Sequence, residues 1–208
     1  AQWLRGGGEE AGNGVSTSAA AAQSGEIEIN ETNFPDAAFR EFLKTGKSGE
    51  FRNGDLIDKN QDGKLSQEEI AAVKAINCYG LFGLDPAANP ADPIEKLTGI
   101  ECFTALEYLK CNNNQLTELD VSNNTELKWL ECNNNQLAEL NVSNNTALTR
   151  LDCSFNSLTK LNVSNDAALE DLNCGTNQLA ELNVSNNTAL KSLNCNDNQL
   201  TELVVGNN

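Results

Sequence analysis

From Leu106 onward, apolar residues return at a fixed interval. Leu106, Leu127, Leu148, Leu169 and Leu190 stand 21 residues apart, and Cys111, Cys132, Cys153, Cys174 and Cys195 keep the same spacing. The unit reads L-x-x-L-x-C-x-x-N-x-L-x-x-L-x-V-S-x-N. It fills 106–126, 127–147, 148–168 and 169–189, with an incomplete fifth copy at 190–208. A unit this short cannot bury its own apolar face, so its copies must stack into one continuous core. Within each unit, L-x-x-L-x-C is echoed ten residues on by L-x-x-L-x-V. Each half alternates inward and outward positions, which predicts one short strand per half-turn. Stacking the coils gives two narrow parallel sheets facing each other across the Leu/Cys/Val core, with a rise of about 4.8 Å per coil. The expected fold is mostly β: a solenoid of 21-residue coils preceded by a small helical cap.

Turns must join the half-coils, and asparagine supplies them. One column runs through Asn114, Asn135, Asn156, Asn177 and Asn198, and a second through Asn123, Asn144, Asn165, Asn186 and Asn207. Asparagine tolerates left-handed backbone and can satisfy turn amides with its side chain. Phe155 breaks the Asn-rich turn pattern, and its simplest reading is a filler in the turn stack. The seven cysteines are an odd count. In-register neighbours present parallel Cβ vectors, a poor geometry for a disulfide, so the column reads as free thiols acting as small hydrophobes.

Upstream, four segments are expected. Residues 1–25 are Gly- and Ala-rich and read as a low-complexity tail or linker. Residues 26–75 carry a short alternating stretch, then Phe34-Pro35-Asp36 opening a helix with Phe39, Phe42 and Leu43 on one face. Ser66-Gln67-Glu68-Glu69 is a capping box that starts a second helix, through about Lys74. Residues 76–105 read as a degenerate first repeat: Ile76-Asn77-Cys78 is its strand, and 84–93 is a Pro-rich insertion. Residues 106–208 are the repeats.

Between the two helices, Asp58 to Glu69 fits D-x-N-x-D-G-x-x-S-x-x-E at every position. In an EF-hand loop, Asp58, Asn60 and Asp62 supply side-chain oxygens and Gly63 the sharp turn. Lys64 gives its backbone carbonyl, Ser66 acts through a water, and Glu69 closes the site with both carboxylate oxygens. Ca²⁺ wants six to eight hard oxygens at about 2.4 Å, which a continuous helix cannot converge. Leu65 is expected to point into the core. Only one such loop is visible, which favours a structural calcium in the cap over a paired-loop sensor.

The repeat pattern resembles leucine-rich repeat proteins, and its 21-residue form with L-D-V-S-N-N-T is similar to repeats of bacterial secreted and cell-surface proteins. Asn33-Phe34-Pro35-Asp36 with Phe39-Arg40, followed by a calcium loop and then Thr98-Gly99-Ile100-Glu101-Cys102-Phe103-Thr104-Ala105-Leu106, resembles the N-terminal region of such proteins. The resemblance implies an extracellular or cell-surface bacterial location, recognition of partners, and no reaction.

Charge and composition narrow the function further. With 14 basic against 30 acidic residues the net charge is −16, which disfavours nucleic acid and anionic membranes and suits cation binding. No apolar run is long enough for membrane insertion. Histidine is absent, and no Walker loop, G-x-S-x-G or Cys-x-x-Cys occurs, so no enzyme is expected. The outward positions offer a binding face instead. Tyr108, Trp129, Arg150 and Asp171 fall in one column and Asp152 in a neighbouring one; Tyr, Trp and Arg dominate interface hot spots. The expected ligand is a protein or a glycan. A second reading is a structural subunit whose open coil ends self-associate, because unpaired strand edges invite pairing.

Overall fold

The computed structural model describes residues 25–46, 54–80 and 93–206. Most of the 1–25 tail, the centre of the loop between the first helix and Asp58, and most of the 84–93 insertion therefore lie outside the described residues.

Two short strands and two helices precede the array. β1 (Ile27–Glu28) pairs antiparallel with β2 (Lys64–Leu65), setting Ile27 against a fully buried Leu65. α1 (Ala37–Thr45) starts where Asp36 Oδ1 accepts a hydrogen bond from Phe39 N at 2.8 Å, and it buries Ala38, Phe39, Phe42 and Leu43. The other carboxylate oxygen of Asp36 accepts from Glu95 N (2.7 Å) and Lys96 N (3.0 Å). One side chain thus caps the helix and ties it to the segment entering the array. α2 (Gln67–Ala72) opens on a complete capping box between Ser66 and Glu69. It stops short of the expected Lys74 because Val73 adopts extended backbone and turns into the core. At Gly99, φ is +102° and an added Cβ would stand 2.2 Å from the Phe34 ring, so only glycine lets the two segments meet.

The array follows. β3 (Ala75–Asn77), β4 (Tyr108–Lys110), β5 (Trp129–Glu131), β6 (Arg150–Asp152), β7 (Asp171–Asn173) and β9 (Ser192–Asn194) form a six-stranded parallel sheet. Ile76, Leu109, Leu130, Leu151, Leu172 and Leu193 stand in register. All but Leu193 are buried. The Ala75–Asn77 strand makes the degenerate first coil a true rung of the sheet. Ile94, Leu97, Ile100 and Phe103, around a 3₁₀ turn at Ile100–Cys102, are buried in the same core.

The second face differs from the expected full sheet. It holds single bridges, Asp120 to Asn141 and Asn141 to Asn162, and one two-stranded ladder, β8 (Glu181–Asn183) with β10 (Glu202–Val204). The reason is local. Directly after the inward valine the chain makes two tight turns, with Asn124 N donating to Val121 O and Leu127 N to Asn124 O. Later coils repeat this, as at Asn145 and Leu148. Little extended backbone is left to pair.

Both corners of the coil are sewn by asparagine, but one column is not the expected one. At the first corner, Asn135 Oδ1 accepts from Leu116 N at 3.0 Å, while its Nδ2 donates to Cys111 O and Cys132 O. Asn114, Asn156, Asn177 and Asn198 repeat the arrangement. At the second corner the buried residues are Asn124, Asn145, Asp166 and Asn187, one position beyond the column read from the sequence. Asn123, Asn144, Asn165 and Asn186 are exposed. Two adjacent asparagines offer the same chemistry, and the turn geometry decides which one points inward.

No disulfide joins the cysteines. Cys78, Cys111, Cys132, Cys153 and Cys174 are buried, while Cys102 and Cys195 are partly exposed. Burial pushes the thiols of Cys111, Cys132 and Cys153 well above their ordinary range, and that of Cys174 up to about 12. A thiolate in this column is therefore strongly disfavoured, and the sulfur acts as a hydrophobe.

Candidate functional site

The six-stranded sheet presents its alternate residues to the outside. Register places Tyr108 beside Trp129, Trp129 beside Arg150, Arg150 beside Asp171 and Asp171 beside Ser192. The first four of the strands that carry them hold the column straight because their inward leucines, Leu109, Leu130, Leu151 and Leu172, are buried in the core.

The column is not a row of independent side chains. The Tyr108 and Trp129 rings lie 6.2 Å apart at 57°. The Arg150 guanidinium stands 4.6 Å from the indole centroid and the Lys110 ammonium 4.5 Å from it. The indole N–H donates to Glu131 Oε1 at 2.9 Å. Trp129 is thus gripped from both neighbouring rungs, with cation–π contacts that fix its orientation. One residue earlier on each rung, Lys128 pairs with Glu107 at 2.6 Å and Lys191 with Glu170 at 2.8 Å, which neutralises the flank of the face.

Beyond the aromatic pair the face opens into a hollow of about 230 Å³ lined by Arg150, Asp152, Asp171, Asn173, Ser192 and Asn194. Asp152 is held rigidly: Oδ1 accepts from Ser154 Oγ (2.6 Å) and Ser154 N (3.1 Å), and Oδ2 from Asn173 Nδ2 (3.2 Å). The structure therefore gathers Arg150, Asp152 and Asp171 around one concavity, with Tyr108 and Trp129 on the rungs before it. A second hollow, of about 360 Å³, lies on the opposite face among Lys160, Glu181, Asn183 and Glu202. Nothing in the residue pattern marked it, because it arises where the ladder between Asn162 and Asn183 is not formed.

In the acidic loop, Asp58 is buried and Lys59, Asn60 and Asp62 are exposed. Asp58 Oδ2 accepts from Gly63 N at 3.0 Å, and Oδ1 is buried with no hydrogen-bond partner. Asn60 Oδ1 accepts from Asp62 N, and Asp62 Oδ1 accepts from Lys64 N at 2.8 Å. Glu69 is engaged from both ends: Oε1 accepts from Lys59 N at 2.8 Å, and Oε2 accepts from Ser66 N and Oγ. Burial pushes the Glu69 carboxyl up, but hydrogen bonds from Ser66, Lys59 and Asn60 outweigh it and hold the group below the usual carboxylate range. Leu65 points into the core, fully buried. Among the described residues no three acidic, Cys or His side chains converge as a ready-made metal cluster. The loop has the turn and the order of oxygens that calcium uses, with Glu69 serving as a helix cap.

Asp166 is a feature the sequence reading passed over. Where its column neighbours Asn145 and Asn187 each donate to two backbone carbonyls of the preceding coil, Asp166 has both carboxylate oxygens buried and unpartnered. Burial lifts its pKa from the ordinary carboxylate range to about 6. Aligning the repeats on one another exposes it: Asn-Asp stands where the other copies have Asn-Asn.

Stacked 21-residue coils with an inward Leu/Cys/Val core and an asparagine-sewn corner define a leucine-rich repeat solenoid. Among solved structures, the chain is similar to a functional domain of InlJ from Listeria monocytogenes that includes a cysteine ladder: TM-score 0.69 and 32% identity over 85% of this chain and 35% of that one. It also matches an internalin (inlF) of the same organism, with TM-score 0.49 and 29% identity over 52% of this chain and 37% of that one. The chain thus spans about a third of the length of these two proteins. No protein-family model and no curated protein matches it.

Proposed function

We propose that this chain is a non-enzymatic bacterial binding module, extracellular or at the cell surface, that recognises a protein partner through the open face of the six-stranded sheet. The observation that carries the reading is the column Tyr108–Trp129–Arg150–Asp171, set in register and continuous with a concave hollow. Oriented aromatic and guanidinium groups beside a cleft are what interface hot spots are made of. The likeness to the InlJ domain supports it. A protein is favoured over a glycan because sugar stacking needs an open ring face, and cations from two rungs already crowd the Trp129 ring. Among the described residues no helix is long and apolar enough to cross a membrane. Protein and glycan arrays probed with the wild type and Trp129→Ala test the reading. Protein hits that depend on Trp129 support it; hits unaffected by the substitution place the contact elsewhere.

Calcium belongs to the same proposal. Asp58, Asn60, Asp62, the Lys64 carbonyl, Ser66 and Glu69 would hold it, and the buried, partnerless Asp58 Oδ1 is the oxygen a cation at this loop would satisfy. The ion would brace the loop joining α1 to α2 and do no chemistry. Titrating calcium into the chelated protein by calorimetry and scanning thermal unfolding tests this. Binding that raises the melting temperature, lost in Glu69→Gln, is the expected result; no heat and no shift would remove calcium from the account.

A second reading, self-association, has one observation in its favour. On the last described strand and just after it, Leu203 and Val205 are 44% and 48% exposed. A second copy stacked on this end would cover that surface. Sizing over a range of concentrations separates this reading from the first, since a monomer throughout disfavours assembly.

A further inference from the structure

The repeats of this chain are an alignment of the chain with itself. Where every copy must satisfy the same coil geometry, a copy that departs from its siblings at a cost to folding marks a position kept for another reason. The turn after each inward cysteine is such a test. Its second residue adopts left-handed backbone in each of the five 21-residue repeats: φ is 55° at Asn113, 57° at Asn134, 52° at Phe155, 54° at Thr176 and 52° at Asp197. Asparagine and aspartate tolerate that region, whereas the bulky Phe155 and the β-branched Thr176 are both strained there, and of the two only Phe155 is a large apolar side chain left exposed. Phe155 is also 58% exposed, so it does not fill the turn stack. The other large apolar side chains that stand exposed among the described residues, Leu203 and Val205, belong to the last coil; Phe155 stands in the middle of the array. It is therefore doubly unfavourable, in backbone and in solvation.

Its surroundings depart from the repeat as well. Asn112-Asn113 and Asn133-Asn134 become Ser154-Phe155 and then Gly175-Thr176 on the following coil. Phe155 N donates to Gly175 O at 3.0 Å, so the aromatic stands next to a rung with no side chain at that point. Ser154, fully within the fold, donates to the same Asp152 carboxylate that lines the hollow on the sheet face. The apolar rim and the acidic hollow are thus joined through four consecutive residues, Asp152 to Phe155, of one strand and turn. Within the hollow, Arg150 is stacked on Trp129, and Asp152 and Asp171 supply the outward-facing charge.

We propose that Phe155 is the apolar anchor of a docking surface running from the turn rim into the Asp152–Asp171 hollow, and that it takes a segment of a partner protein carrying a cationic side chain beside an apolar one. The inference rests on the protein-binding reading above and deepens it. The exposed aromatic area is buried only when a partner covers the ring, which offsets the cost of holding it there, and the Asp152 and Asp171 carboxylates supply the complementary charge.

The probe is a panel of immobilised synthetic peptides in four sets: cationic with aromatic or aliphatic residues, cationic without them, apolar with acidic residues, and neutral polar. The proteins are the wild type, Phe155→Asn, the pair Asp152→Asn with Asp171→Asn, and Trp129→Ala. The wild type is expected to retain the cationic–apolar set, more weakly at higher salt. Phe155→Asn should weaken retention by about tenfold or more while raising the melting temperature by about 1–3 °C, because asparagine suits the turn. The double substitution should abolish the preference for cationic peptides. A lower melting temperature in Phe155→Asn would make Phe155 a structural residue and overturn the proposal, as would unchanged peptide retention. So would a wild type that ignores the cationic–apolar set. If retention falls with Trp129→Ala but not with Phe155→Asn, the sheet face still binds protein and only the anchor is wrong.

Discussion

The two corners of the coil use the same residue for different reasons. At the first corner each asparagine employs its whole amide: Asn177 accepts from Leu158 N at 3.0 Å and donates to Cys153 O and Cys174 O at 3.1 Å. The column continues unbroken from Asn114 to Asn198. At the second corner only the donor half is used. Asn145 donates to Val121 O and Asn124 O, both at 2.9 Å, and its Oδ1 is buried without a partner, as are those of Asn124 and Asn187. Where both halves are needed, no other side chain fits. Where only donors are needed, an acid supplies at most one of the two and only while protonated, yet Asp166 stands in this column with both oxygens unpartnered.

The largest effect is therefore expected at the first corner. Asn177→Ala strands the Leu158 amide in a buried turn and takes one of two asparagine donors from each of Cys153 O and Cys174 O, at a cost of roughly 3–5 kcal/mol. Thermal unfolding should fall by on the order of 10 °C. Asn145→Ala removes two bonds and no accepted one, and should cost about 2–3 kcal/mol. If the two losses are equal, the distinction between the corners is wrong.

Asp166 sharpens the comparison through pH. Its folded pKa of about 6 lies above the ordinary 3.8, so the folded chain holds this proton more tightly than the unfolded one. A carboxyl raised in this way contributes its full stability at acid pH. That contribution is lost as pH rises from about 4 to about 6, and above that range the ionised group weakens the fold by on the order of 1–3 kcal/mol. Asp166→Asn restores the donor that Asn145 and Asn187 use. It should raise the melting temperature by several degrees at pH 7.5 and make little difference near pH 4. The difference curve between the two proteins isolates this group from the other carboxylates. A flat difference across that range would mean that Asp166 is ionised in the fold and held by a partner.

The sheet and its register were legible in the sequence because leucine and cysteine at a fixed interval leave one stacking solution. Tyr108, Trp129 and Arg150 then had to share a column. The second sheet was over-read: L-x-x-L-x-V alternates like a strand, but the turns that follow Val121 and Val142 consume the backbone that would pair. Asn123 was chosen over Asn124 because the pair is chemically identical and only the turn separates them. The hollow at Asp152 and Asp171 depends on side-chain lengths across three rungs, which no spacing rule encodes. In the acidic loop the S-x-x-E spacing read Glu69 both as the capping-box acid and as the last calcium oxygen, and the capping box is the role seen in the fold.

The smallest effect concerns the thiols, which report on the core between the corners without altering it. Burial holds Cys111, Cys132 and Cys153 far above their ordinary pKa, whereas Cys195 sits partly exposed on the last described coil. An aromatic disulfide reagent at pH 8 should therefore modify Cys195 within minutes and leave Cys111, Cys132, Cys153 and Cys174 untouched until the array unfolds. Because a coil opens only when its corner lets go, Asn177→Ala should expose Cys174 before Cys132, and Asp166→Asn should slow the labelling of Cys153. Labelling of all four at one rate in the native protein would mean that the coils open together and that neither corner holds its own rung.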